Sequence, residues 1–112
     1  MSQENTWTKK QFVAYLMLFA ARADYTMTPE EVKLIKEKVG EDVYEQMQEV
    51  LKHDNKEACL ARIHGYLSFN ALSEDDKHQV MRDIDRILYS DGSYEDEEAD
   101  RYRRIKNILM ES

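Results

Sequence analysis

Helical periodicity runs through almost the whole chain, and this pattern most limits the folds open to it. Apolar residues recur at intervals of three and four, and no segment between turn signals alternates apolar and polar residues as a strand does. The 112 residues include three glycines and one proline, so most connections must be short. The sequence therefore predicts an all-α fold, a compact bundle of about six helices that forms a single domain over residues 1–112.

Helix start and stop signals divide the pattern into segments. The first helix is expected from about Thr8 to Ala23. The second begins at the string TPEE, where Thr28 is the N-cap, Pro29 takes the first helical position and Glu31 completes a capping box. Gly40 ends this helix. Four more helices are expected: one around Met47, one near residues 55–70, one after Ser73, and one carrying Tyr102, Ile105 and Leu109.

The fourth helix carries three side chains whose positions on its apolar stripe suggest their environment. Phe69 is expected to widen the stripe and pack inward. His64 lies between apolar stripe positions and is interpreted as a hydrogen-bonded core histidine. Cys59 is interpreted as a small buried hydrophobe, because a nucleophilic thiol needs a nearby base and the local sequence supplies none.

Charge and cysteine content exclude several classes of function. The formal net charge of −7 argues against a nucleic-acid partner, since phosphates are neutralised by lysine and arginine. Residues 1–39 carry six basic and five acidic residues, so the acidic excess belongs to residues 40–112.

The longest apolar run, FVAYLMLFAA, is too short for a transmembrane helix, and the chain opens on a polar segment instead of a leader. A single cysteine fits a reducing compartment, and we expect a cytoplasmic protein.

A short pattern occurs twice. AARADYTMTPEEVKLI (20–35) aligns with ILYSDGSYEDEEADRY (87–102) at an offset of 67 residues. Asp24 then matches Asp91, and Glu31 matches Glu98. Each copy is a helix, an aspartate, a turn, and a second helix that starts on carboxylates. The sequence thus predicts two related helix–acidic turn–helix hairpins.

The two aspartates occupy costly positions, which call for a compensating partner. Each is expected at the C-terminal end of a helix, at a position that continues the apolar stripe of that helix. There its carboxylate faces the negative end of the helix dipole. Burial would add a desolvation cost unless the group is bonded. One solution is structural: Asp24 and Asp91 accept N–H groups of the turn or of the next helix. The other is a hard divalent cation, calcium or magnesium, held by Asp24 and Glu31 in one copy and by Asp91 with Glu95 or Glu98 in the other.

The repeated strings ADYTMTPEE (23–31) and SDGSYEDEE (90–98) resemble the characteristic motif of the TerB family, a small all-helical domain named for tellurite resistance. A related domain is fused to J-domain co-chaperones. The likeness covers most of the chain, from Tyr15 to Leu109, and departs at Tyr25, which stands where the second copy has Gly92. It implies that Asp24, Glu31, Asp91 and Glu98 hold a divalent cation or form an interaction surface. It also implies a role in stress-related or membrane-associated complexes.

Three functional hypotheses follow from these features. The first is a non-enzymatic binding module whose acidic turns take a divalent cation or a basic protein partner. The second is a purely structural or assembly scaffold in which the acidic turns clamp the helical hairpins. The third is a metal-dependent hydrolase that uses the same carboxylates.

Overall fold

The computed structural model describes residues 7–22, 27–70, 72–89 and 96–111. These residues form six helices and contain no strand, which confirms the predicted all-α bundle. The helices are α1 (Lys9–Ala21), α2 (Pro29–Val39), α3 (Glu41–Lys52), α4 (Lys56–Phe69), α5 (Glu74–Leu88) and α6 (Asp96–Glu111). No helix of the described residues is long and apolar enough to cross a membrane.

Local hydrogen bonds explain where four of the helices begin. Thr8, Thr28, Asn55 and Ser73 are N-caps, and each side-chain oxygen accepts an N–H group from the first turn of its helix. At Gly40, between α2 and α3, the backbone has φ = 92° and ψ = 153°, a conformation that side chains strongly disfavour. The predicted start of α2 and its end at Gly40 are therefore confirmed.

Helix α1 is the centre of the bundle. It packs against each of the other five helices. Phe12 and all of residues 14–21 are buried, so its surface is covered on nearly every side. A helix with this many apolar positions is stable only in such an environment. The remaining helices surround α1 and bury apolar side chains against it and against one another.

Two expectations for α4 are wrong. Phe69 is the last residue of the helix and its side chain is 73% exposed, and His64 is exposed as well. The buried side chains of α4 are those of Cys59, Ile63 and Tyr66. Because Tyr66 stacks on Phe12 of α1 with ring centroids 3.9 Å apart, it fixes which face of α4 turns inward. His64 and Phe69 lie off that face on opposite sides of the helix.

Candidate functional site

The two predicted hairpins are present and share one register. Helix α1 ends at Ala21 and α2 begins at Pro29, whereas α5 ends at Leu88 and α6 begins at Asp96. Both pairs of boundaries are separated by the 67 residues of the sequence repeat. The packing is related by the same repeat, in which α1 corresponds to α5 and α2 to α6. The contact of α1 with α6 is matched by that of α5 with α2, and α1 and α5 also contact each other. The repeat therefore extends from the short motif to whole helices.

Both hairpins point the same way in the bundle. At the starts of α1 and α5, Lys9 Nζ lies 3.1 Å from the Asp76 carboxylate. Towards their ends, Met17 and Ile87 line one cleft. The two helices thus run in the same general direction, and the helix ends that border residues 23–26 and 90–95 lie at one end of the molecule.

Two of the four predicted site residues fall within the described residues. Glu31 and Glu98 are each the third residue of their helix, and both are buried, with 1% and 5% of their surface exposed. Asp24 and Asp91 lie outside the described residues. Buried carboxylates in proteins are hydrogen-bonded, paired with a cation or bound to a metal ion, so these glutamates mark this end of the bundle as unusual.

Glu31 takes part in the predicted capping box. Its Oε1 accepts the Thr28 N–H group at 2.9 Å, and Thr28 Oγ1 accepts the Glu31 N–H group at 3.1 Å. The positive end of the α2 dipole lies beside the carboxylate and stabilises its charge. At least one oxygen of Glu31 is therefore used to start the helix.

Arg101 is a residue at this end whose role was not predicted. Its spacing of four and three residues from Glu97 and Glu98 favours ion pairs within α6. In the structure its Nη1 donates to the Phe19 carbonyl oxygen at 2.8 Å, and its guanidinium lies over the Phe19 ring, 4.5 Å from the centroid. It thus connects α6 of the second hairpin to the last turn of α1 in the first.

A second polar cluster, also missed from the sequence, joins α1 to the connection between α3 and α4. Asp54 Oδ2 accepts from both the Tyr15 hydroxyl and Arg62 Nε, each at 2.7 Å. Tyr15 is fully buried, and burial raises the pKa of its hydroxyl. Burial also raises the pKa of the neighbouring Cys59 thiol, so the thiol stays protonated and is a poor nucleophile at neutral pH. The predicted structural role of Cys59 fits this environment.

The metal hypothesis assigns one pair of carboxylates to each copy of the repeat. Among the described residues, no three histidine, cysteine or acidic side chains are grouped closely enough to hold an ion. Each predicted pair, Asp24 with Glu31 and Asp91 with Glu98, has its aspartate outside those residues. Glu31 and Glu98 supply carboxylate oxygens of the type that calcium and magnesium bind.

Comparisons with protein-family models, curated proteins and solved structures find no match to this chain. The resemblance to the TerB family therefore stays a prediction that depends on the two motifs and the order of the helices.

Proposed function

We propose that this protein is a non-enzymatic, cytoplasmic binding module of the TerB type. We further propose that its two acidic segments, residues 23–31 and 90–98, take a divalent cation, calcium or magnesium. One observation supports this most strongly. Two hairpins in one register place a buried glutamate, Glu31 or Glu98, at the same helical position and the same end of the molecule. Each glutamate follows an aspartate by seven residues, so each hairpin carries its own pair of oxygen donors.

A second candidate function has an observation of its own. Glu31 accepts the Thr28 N–H group, so one of its oxygens already has a structural role at the start of α2 without a metal ion. A scaffold of this kind would bind partners through another face and need no metal. A basic protein partner at the same acidic end is the further alternative to a metal ion, since the chain carries a net charge of −7.

Calorimetric titration with calcium and with magnesium separates these functions. The variants are Asp91→Asn and, as a matched control, Asp75→Asn, which removes an exposed carboxylate from the first turn of α5 at the other end of the bundle. We expect saturable heat in the wild type and in Asp75→Asn, and its loss in Asp91→Asn. Absence of saturable binding to the wild type at millimolar metal would reject the cation site.

Unfolding of the metal-free proteins distinguishes the clamp from the cation site. If Asp91 is a clamp, Asp91→Ala removes its hydrogen-bond acceptor and lowers the free energy of unfolding by about 1 kcal/mol. If Asp91 is a cation ligand, its removal relieves repulsion among neighbouring carboxylates, and metal-free Asp91→Ala is at least as stable as the wild type. Urea titration followed by circular dichroism measures this difference.

A further inference from the structure

Under the repeat, the contact of α1 with α6 is equivalent to the contact of α5 with α2, but the side chains at these two contacts differ. In the repeat, Arg101 of α6 is equivalent to Leu34 of α2, and Phe19 of α1 is equivalent to Arg86 of α5. Arg101 reaches Phe19 through a hydrogen bond and a ring contact. At the other contact, Leu34 and Arg86 line a cleft of about 180 Å³, and a leucine side chain has no donor for a carbonyl group.

The contact between Arg101 and Phe19 is a strong one because of the carbonyl group that accepts it. Its acceptor is the carbonyl of a fully buried residue in the last turn of α1, where the helix leaves carbonyl groups without intrahelical partners. A charged donor to such a group forms a strong hydrogen bond, and the Phe19 ring adds a cation–π contact. The side chain therefore acts as a C-terminal cap that α6 supplies to α1.

We propose that Arg101 is a positioning residue that couples the two hairpins. A ligand bound at the acidic segment of the second hairpin then also stabilises the C-terminal end of α1 in the first hairpin. The ligand part of this inference depends on the proposed cation binding. The tether itself does not, because it is built from Arg101 and Phe19 alone. Leu34 donates no such hydrogen bond to α5. There α2 and α5 are joined instead by the ion pair of Lys38 Nζ with Asp83 Oδ2, 3.1 Å apart, which does not involve the end of α5.

Hydrogen exchange has an internal control in this fold. The Arg22 amide donates to the Leu18 carbonyl at 3.0 Å, and the equivalent Tyr89 amide donates to the Asp85 carbonyl at 3.1 Å. Both close the last turn of a helix. In the metal-free protein, we expect Arg101→Met to accelerate exchange at Arg22 by roughly tenfold, the effect of losing one hydrogen bond to a charged group, and to leave Tyr89 unchanged.

Two further variants keep the result interpretable. Arg103→Met removes an exposed positive charge two residues away on α6 and should change neither amide. Arg101→Lys keeps the charge without the planar guanidinium, and it replaces Arg101→Met if circular dichroism shows that the methionine variant is unfolded. Equal acceleration at Arg22 and Tyr89, or no acceleration at Arg22, would overturn the tether.

Calcium then tests transmission between the hairpins. In the wild type, saturating calcium should slow exchange at Arg22, and Arg101→Met should abolish this effect while still binding calcium by calorimetry. Calcium that binds the wild type without changing Arg22 exchange would disprove the coupling. Failure of calcium to bind at all would instead reject the proposed cation function, and the metal-free exchange rates would decide the tether alone.

Discussion

Replacement of Asp54 by alanine should be among the most destabilising changes at a polar residue of this protein. The carboxylate has 8% of its side-chain surface exposed and accepts two hydrogen bonds of 2.7 Å, from Tyr15 and Arg62. Arg62 is 30% exposed and can turn to water, whereas the fully buried Tyr15 hydroxyl cannot. A buried donor left without its acceptor costs about 1–3 kcal/mol, and a lost hydrogen bond to a charged group about 1.5–3 kcal/mol. We expect Asp54→Ala to lower the free energy of unfolding by about 3 kcal/mol.

Urea unfolding followed by circular dichroism measures this loss as a decrease of about 1–2 M in the midpoint. Tyr15→Phe should cost less, about 1.5 kcal/mol, because Asp54 keeps Arg62 and no buried donor is orphaned. The double variant should then cost clearly less than the two single changes added together. Glu45→Ala, at an exposed acidic position of α3, is the control and should stay within about 0.5 kcal/mol of the wild type. Additive effects, or a loss below 1 kcal/mol for Asp54→Ala, would refute this account of the cluster.

Two other changes test local features. Gly40→Ala should lower the free energy of unfolding by about 1–3 kcal/mol, because alanine is strained at φ = 92°; thermal unfolding measures this loss, and an unchanged midpoint would contradict the strain. The hydrogen bonds from Lys9 hold the pKa of Asp76 below its ordinary value, so this pair stabilises the fold above the unfolded-state pKa and loses its effect as the pH falls through the folded-state pKa. Lys9→Met should raise the NMR titration midpoint of the Asp76 carboxyl group, whereas Lys10→Met, at an exposed neighbour, should leave it in place.

Much of the helical framework was predictable because it depends on interactions within a few residues. The capping box of Thr28 and Glu31 spans three positions, and Gly40 ends α2 through its own backbone conformation. The errors at His64 and Phe69 have a different origin. The apolar residues of α4 extend over much of its circumference, so periodicity alone does not determine which face turns inward. The stack of Tyr66 on Phe12 of α1 decides it.

The candidate site was predictable to the same extent. The 67-residue repeat predicted the two equivalent hairpins and singled out Glu31 and Glu98, and their burial emerged only from packing. The contacts of Arg101 could not be foreseen, because its acidic neighbours on α6 offered nearer partners.

By itself, the sequence determined the number of helices, several of their starts and the equivalence of the two hairpins, because capping, helix periodicity and repetition are local or linear properties of a chain. Only the tertiary structure decided how the hairpins are joined. The hydrogen bond between Tyr15 and Asp54 spans 39 residues and that between Arg101 and Phe19 spans 82. Such contacts depend on the relative positions of whole helices, which are set by how their apolar faces pack together around α1.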